Sequence, residues 1–368
     1  MEAQGILQDT TFILLYGGVI MLSLVAALYL LLRRGNAIAP EVSSPVRLRR
    51  WAAAFLIASA LSHVFWVFYA YHSSLTVYVI VCGLDLLMLF PAIAGILMSM
   101  LQDRKRPVFP LLLALIPALV LLVLCIVRGD ASLLFILSTY VIALYGLLML
   151  FMFFSLRGYG RWLRDNYADL ENKEVMQSFL ILTVFVLFFV LYSSTAEGKP
   201  VLLYILQIDC IIIVALLLWR VETLQQLNGS PSQETEPAAP EQEVSSSELS
   251  FTATQSRIGA LLKEACENRQ LYLQHDLTLA QLANAIGTNR TYLSQHFAQQ
   301  GISYNTYING LRIRHFVSLY EKAVADKREI TAQQLAFESG FHSYSTFSAT
   351  FKKFMGSTVT AWMRGTEK

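Results

Sequence analysis

The sequence predicts an all-α protein in two unlike parts: a polytopic seven-helix transmembrane bundle, then a soluble helical domain with an internal repeat. Three observations predict it. Apolar residues make up 55% of the 368 residues and charged residues only 15%, against about 25% charged in an ordinary soluble domain. The apolar excess falls before residue 220, in blocks about as long as a bilayer is thick. A stretch beginning at Leu277 recurs at Ile330.

A helix needs about 20 apolar residues to cross ~30 Å of hydrocarbon. Seven blocks meet or approach that length, at about Thr11–Leu32, Trp51–Tyr71, Leu75–Leu101, Val108–Val127, Ser132–Leu156, Glu174–Ser194 and Pro200–Trp219. With no water in lipid to satisfy backbone groups, these blocks are helical. The first is expected to be a span rather than a cleaved leader, since it is long and is preceded by Glu2 and Asp9, not by basic residues. Pro91 and Pro117 mark places where spans three and four either kink or use the proline as a packing feature.

Loop charges orient the bundle. The loop after span one carries Arg33, Arg34, Arg47, Arg49 and Arg50, the loop after span three Arg104, Lys105 and Arg106, and the loop after span five Arg157, Arg161, Arg164 and Lys173. The opposite side carries only Arg128 and Lys199. The positive-inside rule then puts the N-terminus outside and the C-terminus in the cytoplasm, which an odd number of spans requires. The expected location is the cytoplasmic membrane of a bacterium. The four cysteines, Cys82, Cys125, Cys210 and Cys266, show no metal-binding spacing and read as small buried hydrophobes. No cofactor and no metal are expected.

The expected domains are 1–222 for the bundle, 223–251 for a connector and 252–368 for the soluble part. In the connector, Trp219 to Leu227 reads as a helical continuation of span seven. The stretch that follows is rich in Ser, Pro, Glu and Ala, with Glu234, Glu236, Glu241, Glu243 and Glu248 and no Lys or Arg. It is too poor in apolar surface to fold, so a disordered acidic linker is expected.

The soluble part repeats itself. Leu277-Thr-Leu-Ala-Gln-Leu-Ala-Asn-Ala-Ile-Gly287 aligns with Ile330-Thr-Ala-Gln-Gln-Leu-Ala-Phe-Glu-Ser-Gly340. Thr278 and Thr331 are placed to cap the first helix of each unit, and Asn289 and Ser343 the second. Gly287 and Gly340 permit a positive φ in the turn between them. Leu293 and Phe297, like Phe347 and Phe351, are spaced i, i+4 and form one buried stripe. Each unit, about 277–298 and 330–353, is therefore a helix-turn-helix, a major-groove reader, and the whole is a tandem helix-turn-helix domain.

From Leu277 to Arg364 the sequence resembles the AraC/XylS-type DNA-binding domain. The resemblance rests on Gly287–Phe297, Gly301-Ile-Ser303 with Tyr307-Ile308, Leu311-Arg312-Ile313, and Gly340-Phe341 followed by Phe347 and Phe351-Lys-Lys353. It departs from the family where Thr358-Val359 lacks a proline and where Phe316 replaces a small residue. The resemblance implies two recognition helices entering successive major grooves of double-stranded DNA. The first would present Arg290, Thr291, Ser294 and Gln295. The second would present Tyr344, Ser345, Thr346 and Ala349, with Lys352 and Lys353 on phosphates. Arg and Gln suit base edges, and Ala or Thr a thymine methyl. Residues 252–368 hold 13 Lys or Arg and 8 Asp or Glu, an excess that suits phosphate contacts. Arg312 and Arg314, on the helix joining the units, are expected on a solvated or salt-bridged face.

Three ionisable residues fall inside spans: His63, Asp85 and Asp209. Such residues are costly in lipid and face the bundle interior. Asp85 and Asp209 are expected at similar depth, with His63 nearby, as an intramembrane polar site. The functional expectation is a membrane-embedded one-component transcriptional regulator, whose membrane part senses an unidentified ligand or partner protein, acting as a homodimer. Two rivals are a transporter or membrane enzyme with an attached regulator, and a membrane-held factor released by proteolysis of the linker. The absence of HExxH, nucleophile and phosphate-loop motifs argues against an enzyme.

Overall fold

A computed structural model describes residues 9–33, 35–129, 132–181, 183–184, 187, 200–227, 257–328 and 330–366. Among these residues there is no strand, only an isolated bridge between Tyr167 and Thr278. The chain divides into two compact units, Met1–Tyr159 with Asn172–Glu234, and Gly160–Glu171 with Thr235–Lys368.

The first unit is built from α1 (Thr10–Leu32), α2 (Val46–Tyr71), α3 (Leu75–Met100), α4 (Phe109–Leu113), α5 (Ile116–Arg128), most of α6 (Ser132–Asn166) and α7 (Pro200–Thr223). Six stretches among the described residues are long and apolar enough to cross a membrane, with α4 and α5 together making the fourth. The expectation was seven. The missing one, Glu174–Ser194, is non-helical at Glu174 and Val175 and helical at 176–181, 183–184 and 187, and the rest lies outside the described residues. Helix α2 packs between α1 and α3, and α7 packs on α1 and α2. Many large side chains of these helices, such as Leu14, Val127 and Phe135, remain exposed. A surface this apolar fits lipid rather than water.

The two prolines act differently. Pro91 lies inside an unbroken α3. Pro117 lies in the first turn of α5, after a non-helical turn at 114–115. A proline has no N–H to bond backward, so span four restarts there.

Helix α7 stops at Thr223, short of the continuation to Leu227 expected from the sequence. The backbone beyond it finds partners in neighbouring loops instead of in its own helix. Gln225 N–H donates to Asn172 O at 2.8 Å and Gln226 N–H to Ser43 O at 2.6 Å. Gln102 donates to Gln225 O and accepts from Leu227 N, both at 2.9 Å. Just before this, the Glu222 carboxylate accepts from Ala37 N at 3.0 Å, from Ile38 N at 2.7 Å and from the Tyr29 hydroxyl. The end of α7 is thus fastened to the loop after α1. The acidic linker lies outside the described residues.

In the second unit, a helical stretch 257–262 runs into a π-helical turn, Lys263–Asn268, and a 3₁₀ turn, Leu271–Leu273. Then come α8 (Leu279–Ala285), α9 (Arg290–Gln299), α10 (Tyr304–Ala325), α11 (Ala332–Glu338), α12 (Tyr344–Met355) and α13 (Val359–Thr366). Two apolar cores form. Leu282, Ala283, Leu293 and Phe297 belong to the first, and Leu335, Ala336, Phe347 and Phe351 to the second. Helix α10 serves both, giving Ile308 and Leu311 to one and Ile313, Phe316 and Tyr320 to the other. Phe316, large where the AraC/XylS pattern is small, is fully buried and stands 4.5 Å from the Phe347 ring and 5.6 Å from that of Phe351. Trp362 completes this aromatic group, 5.5 Å from Phe351 and 5.3 Å from Tyr320.

Candidate nucleic-acid interface

The repeat in sequence is a repeat in hydrogen bonding. Thr278 caps α8 and Thr331 caps α11, each with a reciprocal bond from a glutamine three residues on, Gln281 and Gln334. Such capping boxes satisfy two orphan backbone donors at once. The turns follow with Gly287 at φ +70° and Gly340 at φ +91°. After each, the chain bonds back to the alanine of the preceding helix, Thr288 N to Ala283 O at 2.9 Å and Phe341 N to Ala336 O at 3.1 Å. Asn289 then caps α9 by accepting from Tyr292 N at 2.8 Å, and Ser343 caps α12 by accepting from Thr346 N at 3.3 Å. Helices α9 and α12 are therefore aimed by the same local chemistry, with their N-terminal turns presented alike.

On α9, Thr291 and Gln295 are exposed while Arg290 and Ser294 are half-buried; on α12, Ser345 and Ala349 are exposed while Tyr344 and Thr346 are half-buried. Lys352 and Lys353 are exposed in the last turn of α12, where a cation also complements the helix dipole. Exposed side chains on the N-terminal turns of both second helices are what a base-reading unit requires.

Arg312 is not on a solvated face. It is 1% exposed, and its guanidinium donates to Tyr272 O at 2.8 Å, Gln274 O at 2.7 Å and His275 O at 3.1 Å. Burial pulls its pKa down to about 10, and the protonated fork still holds the turn 272–275 against α10. Arg314, two residues on, is exposed. A charged residue on a helix of ordinary amphipathic pattern gives no sign in sequence that it will tie down a turn some forty residues away.

Sequence reasoning also missed the segment that ends α6. Asn166 Oδ1 accepts from Arg290 Nε at 2.9 Å. Ala168 is buried in the first core, and its carbonyl accepts from Asn305 at 2.6 Å and Asn309 at 3.0 Å. The Glu171 carboxylate accepts from the Thr346 hydroxyl at 3.1 Å and from the Ser343 hydroxyl. In sequence these residues read only as part of a basic loop.

Among the intramembrane residues, His63 lies on α2 and Asp85 on α3, two helices that pack on each other. Trp66 Nε1 donates to Asp85 at 2.7 Å, and the Tyr16 hydroxyl donates to the His63 carbonyl at 2.7 Å. Trp66 and Tyr16 were not singled out from sequence, because aromatic residues are ordinary in spans. Asp209 on α7 is buried, and neither carboxylate oxygen has a hydrogen-bond partner among the described residues.

Comparison with known proteins agrees with the geometry of the second unit. A family model described as a helix-turn-helix domain matches residues 282–365, and no family model matches the N-terminal part. An uncharacterized HTH-type transcriptional regulator of Staphylococcus aureus strain MRSA252 is 29% identical over 98 residues, covering 26% of this chain and 12% of that protein. Its counterpart in strain COL is 28% identical over the same length. The TCP pilus virulence regulatory protein of Vibrio cholerae serotype O1 is 30% identical over 96 residues, 25% of this chain and 33% of that protein. The chain thus spans about an eighth to a third of the length of these curated relatives. No solved structure matches it. The likeness falls on the two capped units and the helix between them, and the C-terminal part of the chain carries a helix-turn-helix domain of the AraC type over residues 282–365.

Proposed function

We propose that the chain is a membrane-embedded one-component transcriptional regulator, not an enzyme, in the cytoplasmic membrane of a bacterium. The observation that carries this reading is the joining, on one chain, of six membrane-length apolar helices among the described residues to a helix-turn-helix domain. With Glu174–Ser194 counted as a seventh span, the N-terminus is outside and the DNA-binding domain is in the cytoplasm, the orientation that the loop arginines and lysines favour. Bases are read by Arg290, Thr291, Ser294 and Gln295 on α9 and by Tyr344, Ser345, Thr346 and Ala349 on α12. Lys352 and Lys353 hold phosphates, a sequence-independent share of the affinity. The membrane unit senses a ligand or partner protein and passes the signal on through a homodimer. His63, Asp85 and Asp209 are the polar groups available to it, since a buried carboxylate responds to any change in its partners.

The test is a set of reporter fusions combined with genome-wide occupancy of the full-length protein. Fusions after Ser74, Arg128 and Lys199 should report outside. Fusions after Gly35, Arg106, Asn166 and Gly229 should report cytoplasm. Discrete occupied sites on the chromosome should accompany an intact full-length band. An outside signal after Gly229 would overturn the orientation and the function with it. Loss of the full-length band during activation would turn the reading to proteolytic release.

A further inference from the structure

The segment at the end of α6 does more than join two spans. It runs along the second unit and touches both helix-turn-helix units in turn. Tyr167 pairs with Thr278, the cap of α8, and Asn166 holds Arg290 in the first turn of α9. Ala168 fills a place in the first core under Asn305 and Asn309. Glu171 then reaches the opening of α12, where Ser343 and Thr346 donate to its carboxylate. Arg290 and Thr346 are two of the residues assigned above to DNA. An anionic oxygen that accepts from hydroxyls at the start of a recognition helix stands in for a DNA phosphate.

We propose that residues 166–171 are an internal ligand of the DNA-binding domain that competes with double-stranded DNA for the first turns of both recognition helices. The inference rests on the DNA-binding reading above. Its chemistry is complementary at each point: a carboxylate for two hydroxyls and a helix N-terminus, an amide oxygen for a guanidinium, and a main-chain carbonyl for two asparagine amides. The segment is continuous with span five through α6, whose 35 residues would extend about 52 Å at ~1.5 Å per residue, well beyond ~30 Å of hydrocarbon. Movement of span five therefore bears directly on whether the segment stays seated. DNA affinity is multiplied by the fraction of molecules with the segment released, since the apparent Kd is the intrinsic Kd divided by that fraction, so the membrane unit sets DNA occupancy without touching a base.

The experiment uses the full-length protein in nanodiscs and a fluorescent duplex of random sequence at low salt, read by anisotropy. Glu171→Ala removes the carboxylate from Ser343 and Thr346, and Ala168→Arg forces the segment out of the core. Both should bind the duplex about tenfold more tightly than the unaltered chain, the effect of losing one contact worth about 1.4 kcal/mol. Glu174→Ala removes the same charge from an exposed position outside the segment and should leave affinity unchanged. Hydrogen exchange of the amides at 166–171 should quicken when saturating duplex is added to the unaltered chain. Equal gains from Glu171→Ala and Glu174→Ala would reduce the effect to bulk charge and overturn the proposal. So would equal binding by the unaltered chain and Glu171→Ala, or unchanged exchange at 166–171 with duplex bound. Failure of every variant to bind duplex would overturn the DNA-binding reading itself, a separate outcome.

Discussion

Replacing Gly340 by alanine should be far more damaging than the same change at Gly287, though the two glycines occupy equivalent turns. Both have positive φ, +91° and +70°, which costs an L-residue roughly 1–2 kcal/mol. At Gly287 a Cβ would meet nothing within 4 Å, so the backbone term is all that is lost. At Gly340 it would lie 2.8 Å from Leu273 Cα, 2.9 Å from Tyr272 O and 3.0 Å from Leu273 O. Carbon contacts relax at about 3.5–4.0 Å, so something must move by more than half an ångström. What must move is backbone, in the turn that Arg312 pins. Overpacking of that kind adds about 1–3 kcal/mol, for a total of about 2–5 kcal/mol at Gly340 against about 1–2 kcal/mol at Gly287. Hydrogen exchange of amides in α11 and α12, measured on each variant in micelles, reads the difference directly. Equal loss of protection in the two variants would refute the claim that the 272–275 turn is rigidly held beneath Gly340.

Three further outcomes follow from named contacts. Arg312→Ala leaves the carbonyls of Tyr272, Gln274 and His275 without their donor and should cost about 3 kcal/mol; thermal melts of the soluble unit's near-ultraviolet signal would check it, and Arg312→Lys, with no planar fork, should recover only part. Burial lowers the pKa of both His296 and His315, so the unfolded chain takes up protons first as the pH falls. Stability contributed by the neutral rings is then present above the ordinary histidine value of about 6.5 and is lost as the pH drops below it, visible as a falling melting temperature between about pH 7 and 5 that His296→Gln with His315→Gln flattens. Gln295→Ala should relax base preference at one position at a cost of about 1–3 kcal/mol, whereas Lys353→Ala should weaken all sequences alike and lower the salt slope, both read by selection and titration of duplexes; an unchanged site profile for Gln295→Ala would move the first recognition helix off the bases.

What was legible in the sequence was whatever depends on local order. The threonine caps, the positive-φ glycines and the Leu293/Phe297 and Phe347/Phe351 stripes are set within a dozen residues of themselves, so pattern and spacing were enough to place them. Six of the seven expected apolar spans were legible, because crossing lipid demands length and composition and little else. Pro117 was read as a kink or a packing feature in one span and proved to divide it, a difference that propensity does not resolve. The end of α7 was misread because Gln225, Gln226 and Leu227 have helical propensity, and only the loop acceptors around them show why the helix stops. Long-range ties left no local mark. Arg312 bonds a turn some forty residues away, and Asn166, Ala168 and Glu171 find their partners more than a hundred residues on. An Asn or a Glu in a loop carries no signal of such a destination.

Helix α10 gives its first half to one core and its second half to the other, and its 22 residues make a rod of about 33 Å at ~1.5 Å per residue. The repeat of a DNA groove is about 34 Å. One unbroken helix therefore joins the two helix-turn-helix units. Adding or removing a single residue between Leu311 and Ile313 would turn one unit about 100° against the other. If both units read DNA as proposed, the spacing of the two halves of the site follows from the length of this helix.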